Sequence, residues 1–174
     1  MFKNFLNSSY KVWVKNVFSL YLKPLFGCLG LLLAVSLSGC MTAGPLPKVN
    51  LSEPGWTVRQ GQAVWRPKRE APEIAGELLV ATRPDGSASV QFTKTPIPFA
   101  IAQMTPNAWQ IDFPPDNRHY AEHGSPPARI IWFQLAKAVL GKPIAKGWTW
   151  QNSDNNWQLK NPSSGESLEG YFSQ

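Results

Sequence analysis

Reactive and metal-binding side chains are scarce in this 174-residue chain, which holds two histidines and two cysteines. A thiolate or imidazole zinc site needs three or four ligands, and a Ser-His-Asp machine needs a histidine beside a nucleophile. His119 and His123 lie four apart with Glu122 between them. That order reverses an HExxH helix, and Gly124-Ser125-Pro126 follows at once, so both read as solvated residues and not as metal ligands. Gly-x-Ser-x-Gly, the phosphate loop and the dinucleotide fingerprint do not occur. Charge is sparse as well, with 16% of residues acidic or basic. Glu166 and Glu169 are close in sequence, yet odd spacing in a strand sends them to opposite faces, which suits exposed carboxylates and not an acid–base pair. The expectation is a protein that is not an enzyme and uses neither cofactor nor metal.

What the chain does have is an N-terminal targeting pattern. Met1 to Pro24 carries Lys3, Lys11, Lys15 and Lys23 and no acid, and an apolar run from Leu25 to Leu37 follows. A basic segment, a short apolar segment and small residues before a cleavage point make a secretory signal. A membrane-spanning helix needs about 20 apolar residues, and Lys23-Pro24 cuts the run short of that. Leu37-Ser38-Gly39-Cys40 closes it and matches a bacterial lipobox, at which Cys40 is acylated and the chain cut just before it. The division expected is a signal peptide over 1–39, a lipidated flexible tether over 40–55 and one domain over 56–174.

Processing changes the meaning of two other features. Cys28 lies within the apolar run and leaves with it, while Cys40 carries lipid, so the mature chain has neither a disulfide nor a free thiol. Removing the four leader lysines leaves 13 cations against 11 acids, a net charge of about +2 in place of +6. A nucleic-acid partner, which calls for a concentrated basic face, is therefore not expected.

Beyond the tether, where Pro45, Pro47 and Pro54 exclude a helix, the dominant period is two. A strand is read from Trp56 to Trp65, with Gly61 marking a bulge. Gly76–Thr82 and Ser87–Lys94 flank Pro84-Asp85-Gly86, a tight hairpin turn. Phe99–Met104 and Trp109–Phe113 flank Thr105-Pro106-Asn107, with Phe99 and Ile101 on one face and Ala100, Ala102 and Met104 on the other. With or without a short strand at 119–121, two or three more over 148–151, 157–161 and 166–172 complete a meander of about seven or eight strands. One amphipathic helix is placed at Pro126–Leu140, with Ser125 as N-cap, Pro126 at its first position, and Gly141 and Pro143 as its stop. The fold class is mainly β (α+β), a curved antiparallel meander or half-barrel with that helix across one side.

Seven of the eight tryptophans follow Cys40, either filling a small core or lining an apolar cavity. The lipobox, the tether, the consecutive hairpins, the helix ending in Leu135-Ala136-Lys137-Ala138-Val139-Leu140-Gly141-Lys142-Pro143, and Trp148 before a late strand pair together resemble the LolA/LolB-like family, specifically the outer-membrane lipoprotein receptor LolB and its relatives. The resemblance implies a half-barrel lidded by helices whose apolar hollow binds the acyl chains of a passenger lipoprotein. Candidate lining residues are Val80, Val90, Phe92, Ile101, Trp109, Ile111, Trp132 and Leu135. One helix stands where the family has several, and Ile97 in Lys94-Thr95-Pro96-Ile97-Pro98 is the candidate for the family's exposed apolar loop. Partners implied are the membrane, through covalent lipid, and acyl chains or lipoproteins. Met41 in place of aspartate after Cys40 implies the outer membrane, on its periplasmic side. The alternative from the residues alone is a non-enzymatic envelope scaffold with a solid core and protein partners.

Overall fold

A computed structural model describes residues 44–154 and 156–173. The leader, with Leu37, Ser38, Gly39 and Cys40, lies outside the described residues. Nine strands form one antiparallel sheet: β1 (Thr57–Arg66), β2 (Ile74–Thr82), β3 (Ala88–Lys94), β4 (Ile97–Met104), β5 (Ala108–Phe113), β6 (Arg118–His123), β7 (Thr149–Ser153), β8 (Asn156–Asn161) and β9 (Glu166–Phe172). Their spatial order is β6-β5-β4-β3-β2-β1-β9-β8-β7, so the sheet is open at β6 and β7 and its first and last strands meet inside it. The one α-helix among the described residues, α1 (Ile131–Val139), packs on one face. Among the described residues no helix is long and apolar enough to cross a membrane.

Local turn chemistry sets the first hairpins. Gly86 donates its N–H to the Arg83 carbonyl at 3.0 Å, and Asp85 accepts from the Ser87 N–H at 2.7 Å, fixing the β2–β3 turn. Thr105 closes the β4–β5 turn, its hydroxyl accepting from the Ala108 N–H at 3.1 Å. Alternation then gathers apolar side chains on the helix side. One row runs Arg59-Val80-Val90-Ala102-Ile111-Tyr120 across six strands, and its members from Val80 to Ile111 are buried.

The helix begins later than its sequence pattern suggests. Ile130, not Ser125, is the N-cap, and it offers no side-chain hydrogen bond to the first turn. Pro127 disfavours helical geometry at Pro126, so the chain makes a turn over 127–130 before the helix can start. The C-terminal stop is as expected. Gly141 takes φ +68° and donates to Ala138, while Lys142 donates to Lys137, the two bonds of a Schellman motif.

Two strand details also differ. A bulge opposite Phe92/Thr93 inserts Phe99 as an extra residue in β4. Phe99 therefore turns to the helix side, with its ring 6.4 Å from Phe92, and Ala100, Ala102 and Met104 keep that side, while Ile101 and Gln103 go to the outer face. Gly61 marks no bulge, because its pairing with Leu78 and Phe172 is in continuous register. It permits close approach instead: a Cβ there would stand 1.8 Å from the Tyr171 carbonyl oxygen.

From Gly44 onward the described part of the tether rests on the outer face of the sheet. The Leu46 N–H donates to Gln110 Oε1 at 2.6 Å, and Gln110 Nε2 donates to Gln103 Oε1 at 2.8 Å. Leu46 and Val49 are half-buried, and Glu53 pairs with Arg83 at 2.7 Å, the Arg83 guanidinium lying over the Trp56 ring.

Candidate functional site

The apolar face beneath α1 gathers seven of the eight candidate lining residues. Val80, Val90, Phe92, Trp109, Ile111, Trp132 and Leu135 are between 0% and 4% exposed. Ile101 does not join them, for the reason given by the bulge. Trp132 of α1 stacks on Phe92 with centroids 5.2 Å apart and meets Trp65 at 5.3 Å, and Phe133 meets Trp109 edge-on at 5.5 Å. A second aromatic group joins Trp150, Trp157 and Phe172 on β7, β8 and β9, with Arg59 over Phe172. Trp65, Trp109 and Trp132 thus serve as packing between helix and sheet, and the face is closed to water as it stands.

Polar atoms within this interior are few and unevenly satisfied. Gln134 is wholly buried; its Oε1 accepts from the Ala145 N–H at 2.8 Å, and its Nε2 has no partner among the described residues. Trp157 Nε1 is in the same position. A buried donor left without an acceptor costs about 1–3 kcal/mol, so such atoms mark places where an acceptor from elsewhere would be welcome. Sequence reading passed over Gln134, although a signal was there: it falls three residues after Ile131, on the apolar stripe of α1.

Glu166 stands at the margin of the same face. Trp65 Nε1 donates to its Oε1 at 3.1 Å, and it is half-buried, unlike the exposed carboxylate expected. Burial raises its pKa from 4.5 to about 7, the Trp65 hydrogen bond opposing this only in part. An acid whose folded pKa lies above its unfolded one stabilises the fold fully below the unfolded value, and that contribution fades as pH rises through the folded value. Stability is therefore expected to fall between about pH 4.5 and pH 7. Glu166→Gln should flatten that part of the curve, as read from urea midpoints across pH; an unchanged slope would remove Glu166 as its source.

Glu169 lies on the outer face and accepts from Gln158, so the two glutamates are indeed separated by the sheet. His119 and His123 belong to strand β6, where four residues span about 13 Å, too far apart to share one metal. His119 Nδ1 instead contacts Asp112 Oδ1 at 2.6 Å. Three outer-face hollows of about 440, 510 and 310 Å³ adjoin Tyr171, the first and third walled in part by Gln62 and Glu77 and the second by Gln158 and Glu169. Ile97 opens β4 beside the β3–β4 turn and is 57% exposed. Neither a protein-family profile nor a curated protein matches this chain.

Proposed function

We propose that this chain is a lipoprotein of the bacterial envelope, anchored through acylated Cys40 to the outer membrane and facing the periplasm. Its domain acts in the manner of the LolB-like family: a half-barrel that binds an acyl chain or another apolar group between α1 and the sheet, in the service of lipoprotein localisation. The observation that carries the reading is Gln134, a wholly buried amide donor without an acceptor among the described residues, where the carbonyl of an acyl group would complete its hydrogen bonding. Uptake requires α1 to lift, because the lining is shut. The helix lacks a side-chain cap at its start, and the bonds that tie it down are that of the Trp148 indole to the Ala128 carbonyl and that of the Ala145 N–H to Gln134. Burying ten methylenes would gain about 8 kcal/mol, from which the cost of displacing α1 is subtracted, and no covalent step is involved.

The closed lining favours a second reading, an envelope scaffold with a solid core that binds proteins through an edge or loop. The two diverge in one experiment. The chain from Met41 onward, purified without its lipid, is expected to bind a fluorescent fatty acid in competition with palmitate, and Gln134→Leu should weaken that binding while keeping the fold. Absence of uptake, with proteins copurifying in place of lipid, would establish the scaffold.

A further inference from the structure

We infer that the outer face of the sheet around β4, β5 and β6 is the side turned toward the phospholipid surface, held there by the docked segment that follows Cys40. This rests on the lipid-anchor reading and adds to it an orientation. A free leash over residues 40–55 would let the domain tumble at up to about 50 Å from the bilayer. The chain is not free over most of that length. At Leu46 its backbone is bonded to Gln110 of β5. Gln110 and its partner Gln103 are buried at 6% and 9% although they lie on the outer face. The ion pair of Glu53 with Arg83 and the half-buried Val49 hold the segment between these points and β1.

Six residue steps separate Cys40 from Leu46, and fully extended they reach about 20 Å. Leu46 is therefore kept within about 20 Å of the membrane surface, with Gln110 bonded to it and Ala121 one strand spacing of about 5 Å beyond. The opposite edge, β7, lies seven strand spacings from β5, about 34 Å along the sheet. A domain of this size is about 36 Å across, so a leash of 20 Å cannot serve both edges equally. Chain length sets the orientation and electrostatics does not assist it, since Arg118 is paired with Asp116 and Asp112 and Glu122 add no attraction to an anionic surface. The helix-side face, with the apolar interior, is left toward the periplasm and open to a partner there.

The test uses the full chain, processed and acylated in cells and reconstituted into vesicles of phosphatidylethanolamine and phosphatidylglycerol containing a headgroup-spin-labelled lipid. With Cys28 removed and Cys40 acylated, an introduced cysteine is the sole labelling site. A fluorophore on Ala121→Cys should be quenched several-fold more strongly than one on Gln151→Cys of β7. The double variant Leu46→Ser with Gln110→Ala, which releases the docked segment, should bring the two labels toward equal quenching. Equal quenching in membrane-bound protein with the segment intact would overturn the orientation while leaving the anchor. Protein that fails to enter vesicles, and carries no acyl group by mass spectrometry, would overturn the anchor reading and the orientation with it.

Discussion

A Cys40→Ala chain is expected to lose acylation altogether and to remain either as full-length precursor or as soluble protein. Acylation and cleavage act on one residue in this reading, and Leu37, Ser38 and Gly39 serve only to present it. One acyl chain holds a protein to a bilayer marginally and reversibly, at about 0.8 kcal/mol per buried methylene, so durable attachment depends on the several chains that a lipoprotein cysteine carries. Among the described residues no helix is long and apolar enough to span a membrane. Labelling with palmitate, gel mobility and membrane fractionation read the outcome together. A variant that is still cut to mature length and still sediments with membranes after a high-salt wash would end the anchor reading.

What could be read from the sequence follows the range of the interactions involved. The β2–β3 and β4–β5 hairpins were legible because Asp85, Gly86 and Thr105 fix their turns within a few residues. The end of α1 was legible for the same reason, since Gly141 and Lys142 close it locally. Its start was not, because Ser125 and Pro126 have the residue types of a helix start, whereas the N-cap is Ile130 and Pro127 disfavours helical geometry at Pro126. Ile101 was assigned to the wrong side for want of one fact: a bulge at Phe99 inverts the alternation of β4, and nothing in the local pattern distinguishes five alternating residues from four plus an insertion.

Long-range pairings were the other source of surprise. Glu166 looked exposed because Trp65, which buries it and bonds to it, is 101 residues away. The segment after Cys40 looked like an unpatterned leash because its contacts are with Gln110, 64 residues on. Gln134 was hidden in a different way: composition counts it as polar, whereas on α1 it is wholly buried and bonded to the Ala145 N–H. The fold class needed only alternation and turns. The candidate site depends on where those distant pieces meet, which alternation does not encode.

The junction of β1 with β9 is where the whole sheet is most vulnerable, and Gly61→Val is expected to cost at least about 4 kcal/mol there. A Cβ at Gly61 would lie 1.8 Å from the Tyr171 carbonyl oxygen, and one at Gly170 would lie 2.2 Å from the Gln62 carbonyl oxygen. Both obstacles are backbone atoms, so no rotamer change relieves the overlap and the strands themselves must part. The ladder at risk runs from Gly61↔Phe172 to Arg66↔Ser167 and is the sole strand pairing that joins β7, β8 and β9 to the other six strands. Separation would expose Leu168 and Phe172, both buried against the core, and open the stack that Phe172 makes with Trp157. Domains of this size hold about 5–15 kcal/mol in all, so the loss leaves a chain near its unfolding threshold or one with its C-terminal strands detached. Urea unfolding gives the magnitude, and amide exchange distinguishes the outcomes: protection over 166–172 should vanish before protection in β3, whose partners β2 and β4 are untouched. A Gly61→Val protein with an unchanged urea midpoint would contradict the close approach of β1 to β9.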